Sequence, residues 1–428
     1  MVTTEQLYSY FTECTAVATD TRKIEPGTLF IALKGDNFDA NTFAAEALLK
    51  GAKYAVVDNP DYLTDSRILL VEDSLTALQE LANHHRKVLG LPIIALTGSN
   101  GKTTTKELIA AVLSAKYNSK ATKGNLNNHI GVPLTLLSFD KSTEIGIVEM
   151  GANHQKEIEF LCTIAEPNFG YITNFGKAHL EGFGGYEGVI KGKCELYTYL
   201  KNNLKTAIVN FDDPIQAEKT SDISRFTFAV DNYNSDVRIE MAKANPMVKV
   251  TYNGLDIQTQ LIGAYNAPNI CAAIAIGNYF KINDTKIKEA LENYVPNNNR
   301  SQIIEKGTNK IILDAYNANP SSMAAAINNF LQLEGNHKIA VLGDMFELGN
   351  ESREEHEKII SMLKNNTDVH VYYVGKAFYE GKYEESTIHF FETYNDFHTH
   401  FTTNTPVNTV ILIKGSRGMA LERIMEIL

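Results

Sequence analysis

The apolar run Ile93-Ile94-Ala95-Leu96 passes directly into Thr97-Gly98-Ser99-Asn100-Gly101-Lys102-Thr103, and then into a helix-forming stretch over residues 104–113. A buried strand that turns on glycines into a helix belongs to a βα unit, and such units build parallel sheets covered by helices. The turn aims backbone N–H groups and a helix N-terminus at one point, which is a site for phosphate. Lys102 is placed to neutralise β- and γ-phosphates, and the Thr103 hydroxyl to hold Mg²⁺. Leu96 stands where the first glycine of GxxxxGK[ST] belongs, so this is a shorter TGxxGKT form in which Gly98 makes the turn. A ligand-free glycine turn has no need of Lys and Thr together at the helix start. Residues Thr97 to Thr104 are therefore read as a nucleoside triphosphate site.

A chain of 428 residues exceeds one compact core and suggests about three domains. Residues 1–86 form a small α/β unit with strand-like Leu29–Leu33 and Ala55–Val57 around a helical Phe43–Leu49. Residues 87–297 alternate strands and helices around the phosphate loop, the pattern of a mostly parallel sheet. A polar break at Val295-Pro296-Asn297-Asn298-Asn299-Arg300 reads as a hinge, and 298–428 forms a last, Rossmann-like α/β domain. Three of its strands run into polar loops at Asp314, Gly343-Asp344 and Lys414-Gly415-Ser416-Arg417. Loops at the carboxyl ends of parallel strands line a common crevice. A net charge of −11 argues against a nucleic-acid partner, and the apolar runs fall short of a membrane span. Cys14, Cys162, Cys194 and Cys271 are scattered without metal spacing, and no signal-peptide pattern opens the chain, which fits a reducing cytoplasm. No separate association motif is present, so a monomer is expected.

Glu149 ends the strand-like Ile145–Val148 and can share a Mg²⁺ ion with Thr103, although such a carboxylate is also an ordinary turn residue. His179 follows another buried strand in a glycine-rich loop, as a ligand or as a structural histidine. Lys191 and Lys193 are read near the start of an amphipathic helix, where two cations oppose the helix dipole. Either they form a solvated basic turn, or a lysine of lowered pKa takes up CO₂ and becomes an anionic carbamate. Asn125-Leu126-Asn127-Asn128 and Tyr265-Asn266-Ala267-Pro268-Asn269 are asparagine-rich loops before helices, either plain N-caps or amides that read an adenine or a substrate amide. Asp20-Thr21-Arg22 and the turn at 34–39 are polar edges with a ligand role or simple turn chemistry.

In this order, and with Asp314-Ala315-Tyr316-Asn317-Ala318-Asn319-Pro320-Ser321, Gly343-Asp344-Met345-Phe346-Glu347-Leu348-Gly349 and Lys414-Gly415-Ser416-Arg417-Gly418-Met419, the motifs resemble the Mur ligases over essentially the whole chain. These are ATP-dependent amide-forming enzymes of peptidoglycan synthesis. The loop at 314–321 resembles the branch that joins D-alanyl-D-alanine to UDP-N-acetylmuramoyl-tripeptide. It differs from the diamino-acid branch, whose DNPR motif is missing, and from the DGAHNP-like loop of folylpolyglutamate synthases. The resemblance implies ATP and Mg²⁺ as cofactors. It implies Lys193 as a carbamylated lysine, metal contacts at Thr103, Glu149, His179 and Lys193, and catalytic roles for Lys102, Lys193, Glu149 and His179. Asn269, Arg300 and Asp314 match ATP-contacting positions. Thr21, Asn127, Asn128, Asn153, Tyr316, Asn317, Asn319, Lys414 and Arg417 match substrate positions. Asn266 stands where relatives often carry histidine, and Asn299-Arg300 where Gly-Arg is common. Outside this family, an ATP-hydrolysing switch protein would also use the phosphate loop.

Overall fold

The computed structural model describes residues 1–297, 299–335, 337–364, 366–403 and 405–428; Asn298 of the expected hinge, and Asn336, Asn365 and Asn404 of the expected last domain, lie outside the described residues. Three α/β domains follow one another, each built on its own sheet. The first sheet is wholly parallel, in the order Val17–Ala18, Leu29–Ile31, Tyr54–Val57, Ile68–Leu70. The helix Ser74–Leu89 runs through the boundary expected at 86, because its buried Leu78, Leu81, Ala82 and His85 pack it onto the central domain.

The central sheet has seven parallel strands, in the order Val237–Ile239, Arg225–Val230, Thr206–Asn210, Phe169–Ile172, Ile93–Thr97, Ile145–Glu149, Ser119–Ala121. Ile93–Thr97 lies mid-sheet and is buried throughout, as its unbroken apolar run requires. Its carboxyl end therefore opens between Ile145–Glu149 and Phe169–Ile172, which brings Thr97, Glu149 and Thr173 side by side. A three-stranded antiparallel sheet, Met241–Ala244, Met247–Tyr252 and Leu255–Ile262, was not anticipated; it packs against the helices Ala267–Tyr279 and Asp284–Asn293.

The last sheet orders its strands Gln302–Lys306, Asn309–Asp314, Val410–Lys414, Lys338–Gly343, Val369–Val374, Ile388–Phe391, with only the first antiparallel. Because Val410–Lys414 inserts between Asn309–Asp314 and Lys338–Gly343, the loops after 314, 343 and 414 emerge together. No helix among the described residues is long and apolar enough to cross a membrane, and all four cysteines are free thiols.

Candidate active site

A cavity of about 1310 Å³ runs from Gln79 of the first domain, past the phosphate loop, to Asp314 and Ser322 of the last. Gly98 carries φ +140°, and a Cβ there would stand 2.0 Å from the Thr173 hydroxyl, so the turn admits only glycine. Helix Lys102–Ser114 starts on Gly101, also at positive φ, without a side-chain cap, leaving its first N–H groups for a ligand. Ser99 Oγ donates to the Gly176 carbonyl at 2.6 Å, which ties the loop to the next strand end.

Lys102 folds back on this loop, its Nζ donating to the carbonyls of Gly98 at 2.7 Å and Ser99 at 3.3 Å. Burial pushes its pKa down to about 8, against the opposing pull of Glu149. A phosphate would replace those carbonyls and draw the proton back. ATP titrated at pH 8 is expected to take up about half a proton from the buffer, and ATP affinity should weaken as pH rises above 8. Calorimetry in buffers of different ionisation heat checks this; equal heats across buffers would refute it.

Glu149 is 2% exposed. Its Oε1 accepts from Asn127 Nδ2 at 2.8 Å and Thr103 Oγ1 at 3.3 Å, and its N–H donates to Thr122 Oγ1 at 2.9 Å. Oε2 is buried without a hydrogen-bond partner; the nearest cation is Lys106 Nζ at 3.8 Å, itself 3% exposed. This set of hard oxygens beside the phosphate loop fits Mg²⁺, with Thr103 and Glu149 as its protein donors. Among the described residues, no three His, Cys, Asp or Glu groups form a metal cluster. Nucleotide phosphates would therefore have to complete the cation's shell, which is how Mg²⁺ is commonly held. His179 faces the cavity at φ +53°, and its Nδ1 is paired across the domain boundary with Glu347, also at positive φ. Burial pulls its pKa below the usual imidazole value, with Lys102 and Lys193 adding to the effect and Glu347 opposing it.

Lys193 corrects the sequence reading of its helix. Gly184 and Gly185, both at positive φ, break the chain, so the helix spans Tyr186–Asn202 and Lys193 lies in its middle, away from the N-terminus. It is 1% exposed, behind the cavity wall, and donates to Ala152 O at 3.1 Å beside the Phe183 ring. Burial, reinforced by the charge of Lys102, holds its pKa well below the ordinary lysine value.

The asparagine loops also differ from simple caps. Asn269 accepts from Thr105 Oγ1 at 3.0 Å and donates to Asn266 Oδ1 at 2.9 Å, while Asn266 donates to Ile262 O and caps nothing. Both line the cavity, as does Asn127. Asn128 does act as a turn cap, its Oδ1 accepting from Gly131 N at 2.9 Å. The Asn153 N–H binds Glu157 while its side chain faces the cavity. In the last domain Asp314 pairs with Lys414 at 2.6 Å and accepts from Ser301 N, so two residues read separately form one buried unit. Asn317 is tied locally: its carbonyl receives Lys414 and its Oδ1 the Ala318 N–H. Arg300 stacks on Tyr316 at 3.8 Å, with its buried Nε unpartnered. Arg417 lies on the same ring at 5.5 Å, but it is exposed, pairs with Glu422 and is absent from the cavity wall. Thr21 also lies outside that wall, half-buried with its carbonyl receiving Lys50, and Thr97 is buried at the strand end. Sequence reasoning gave no role to Lys106, Asn174 or Glu347; Lys106 carried a signal in lying one helical turn beyond Lys102, and Glu347 in lying within the 343–349 motif.

A phosphate loop, a buried carboxylate and a facing strand-end crevice define a nucleotide-using α/β enzyme of three domains. The chain matches, in order, the Mur ligase family catalytic domain (residues 13–86), the Mur ligase middle domain (96–277) and the Mur ligase glutamate ligase domain (299–417). It belongs to the Mur ligase family. Within the family it is 36% identical to the UDP-N-acetylmuramoyl-tripeptide–D-alanyl-D-alanine ligase of Bacillus subtilis, across 96% of this chain and 92% of that one. It is similar in structure to MurF from Acinetobacter baumannii, with TM-score 0.86, 32% identity, and 99% and 98% of the two chains covered. A MurF ligase from Thermotoga maritima in complex with ADP gives TM-score 0.84 at 28% identity, covering 98% of this chain and 97% of that one.

Proposed function

We propose that the protein joins D-alanyl-D-alanine to UDP-N-acetylmuramoyl-tripeptide at the expense of ATP, giving the pentapeptide, ADP and phosphate. The observation that carries this is one continuous cavity: it reaches the phosphate loop, a wall from the first domain and the loops at Asp314 and Lys414. A ligase must gather a nucleotide, an acyl donor and an amine in one space, whereas a switch protein needs only the first. The full-length likeness to the Bacillus subtilis ligase supports the particular substrates.

The terminal carboxylate of the tripeptide attacks the γ-phosphorus; an O–P bond forms, the bond to ADP breaks, and an acyl phosphate results. Anion meets anion in this step, so positive charge decides its rate. Lys102 supplies it at the β- and γ-phosphates, and the half-freed Arg300 supplies it from the hinge side. Thr103 and Glu149, with His179 facing the same space, would hold Mg²⁺, which would supply Lewis-acid charge beside the phosphates. The neutral dipeptide amine then attacks the acyl carbon, loses a proton to a base, and phosphate leaves. Lys414, fixed by Asp314, is a cation available to the dipeptide carboxylate. Asn269 and Asn266 stand at the helix start where an adenine would be read, and Thr21 with the 34–39 hairpin at the edge that would take the uridine end. Contacts between the last domain and the 176–181 segment hold that domain against the central one, and further closure over the bound substrates would exclude water from the acyl phosphate. Use of ATP supports the expectation of a cytoplasmic reaction.

Phosphate release should require ATP, Mg²⁺, UDP-N-acetylmuramoyl-tripeptide and D-alanyl-D-alanine together, with the pentapeptide seen by mass spectrometry. Release without an amine, or a need for a different amine, would overturn the substrate assignment.

A further inference from the structure

Asn100 is the one residue of the phosphate loop whose side chain, among the described residues, hydrogen-bonds to the last domain. Its Oδ1 accepts from Asn319 Nδ2 at 2.7 Å. The donor is fixed at its root. Asn319 caps helix Pro320–Leu331, its Oδ1 accepting from Ser322 N at 2.9 Å while its own N–H donates to Ser322 Oγ at 3.1 Å. With Oδ1 used by the cap, only the Nδ2 end can face the phosphate loop, so Asn100 must present its oxygen. The acceptor is equally fixed. Asn174 grips the Asn100 backbone at both groups, accepting from its N–H at 3.1 Å and donating to its carbonyl at 3.0 Å, and Thr173 Oγ1 donates to that carbonyl at 2.6 Å. Gly176 leaves just enough room: a Cβ there would sit 2.6 Å from Asn100 Nδ2 and 3.2 Å from Ser321 Cβ.

We propose that Asn319 is a positioning residue that couples closure of the last domain to the geometry of the phosphate loop, through Asn100. Rotation of that domain away from the central one withdraws the Nδ2 donor from the Asn100 side-chain oxygen, which lies half-buried in the cavity wall. The Asn100 backbone stays pinned by Asn174 and Thr173, so what closure sets is the orientation of the Asn100 side chain beside the phosphates, and the acyl phosphate forms fastest when that side chain is held. This rests on the ligase reading.

The test is Asn319→Ser, because serine caps a helix as well as asparagine but is too short to reach Asn100. Losing this bond is expected to lower kcat about tenfold, with the ATP dissociation constant, measured without other substrates, changed less than about twofold. In the Asn100→Ala background, Asn319→Ser should have no further effect. A wild-type kcat in Asn319→Ser, or effects that multiply in the double variant, would overturn the coupling. A fluorophore pair at the exposed Leu204 and Val407 positions reads closure independently of ligation, with Cys14 and Cys194 replaced by serine. With a non-hydrolysable ATP analogue, Asn319→Ser should show a smaller closed fraction than the parent. If the parent makes no pentapeptide but its closure still depends on Asn319, the substrate reading falls and the coupling stands. If the pentapeptide is made and Asn319→Ser closes like the parent, the coupling falls alone.

Discussion

Lys193→Ala is expected to lower turnover at least about 100-fold, and stripping CO₂ from the unaltered protein should lower it reversibly, with bicarbonate restoring it. The argument starts from burial. An ammonium at this position is 1% exposed and pairs with no carboxylate among the described residues; Glu157 and Glu195 act on it only at longer range. A buried cation so poorly compensated gives up its proton. A neutral amine is the form that adds CO₂: the N–C bond forms, a proton leaves, and a carbamate anion remains. The Lys102 charge that disfavours an ammonium at Lys193 favours an anion there. The anion would present oxygens toward the cation site, where the protein's own carboxylates are too few to form a cluster. Carbon-13 bicarbonate should therefore give a carbamate resonance that Lys193→Ala lacks. Activity in Lys193→Ala that bicarbonate leaves unchanged would sink the idea. Loss of activity without CO₂ dependence or resonance would leave Lys193 working as a plain amine.

What could be read in the chain was what short stretches decide for themselves. The fully buried strand Ile93–Thr97, the glycine turn and the helix Lys102–Ser114 follow from local pattern, and so do the strands ending at Asp314, Gly343 and Lys414. The hairpin Met247–Ile262 was legible but missed: Asn253-Gly254, both at positive φ, joins two strands of alternating burial, the pattern of a two-residue hairpin turn. The helix around Lys193 was started too late, since the positive φ of Gly184 and Gly185 outweighed the amphipathic pattern. Side-chain partnerships were the least legible. Asp314 with Lys414, His179 with Glu347 and Asn100 with Asn319 each join residues 100 or more positions apart, and only the folded chain brings them together. Composition of the asparagine loops could not say that Asn269 serves Thr105 while Asn128 serves its own helix.

Glu149→Gln is expected to cost both turnover and stability, and the two losses should separate in a second variant. The carboxylate accepts from Asn127 and Thr103 on one oxygen and faces Lys106 with the other. An amide of the same shape cannot serve both sides. With its oxygen toward Asn127, its NH₂ meets the Lys106 ammonium; turned over, its NH₂ meets the Asn127 NH₂. Either way the buried Lys106 loses the nearer of its two counter-charges among the described residues and keeps Glu107 at 4.0 Å, a loss that costs up to about 3 kcal/mol in comparable buried pairs. Turnover should fall about 10³-fold, because a neutral amide is a poor donor for a hard dication. Adding Lys106→Met removes the stranded cation and replaces it with an apolar chain of similar length. Urea melts should then show most of the lost stability regained, while phosphate release stays at the level of Glu149→Gln. Recovery of turnover in the double variant would mean that Glu149 acts only as the partner of Lys106. An undiminished melt in Glu149→Gln would mean that the 3.8 Å approach contributes nothing to the fold. The separation of stability from turnover is what distinguishes a carboxylate kept for a cation from one kept for packing, since a packing residue would lose and regain both together.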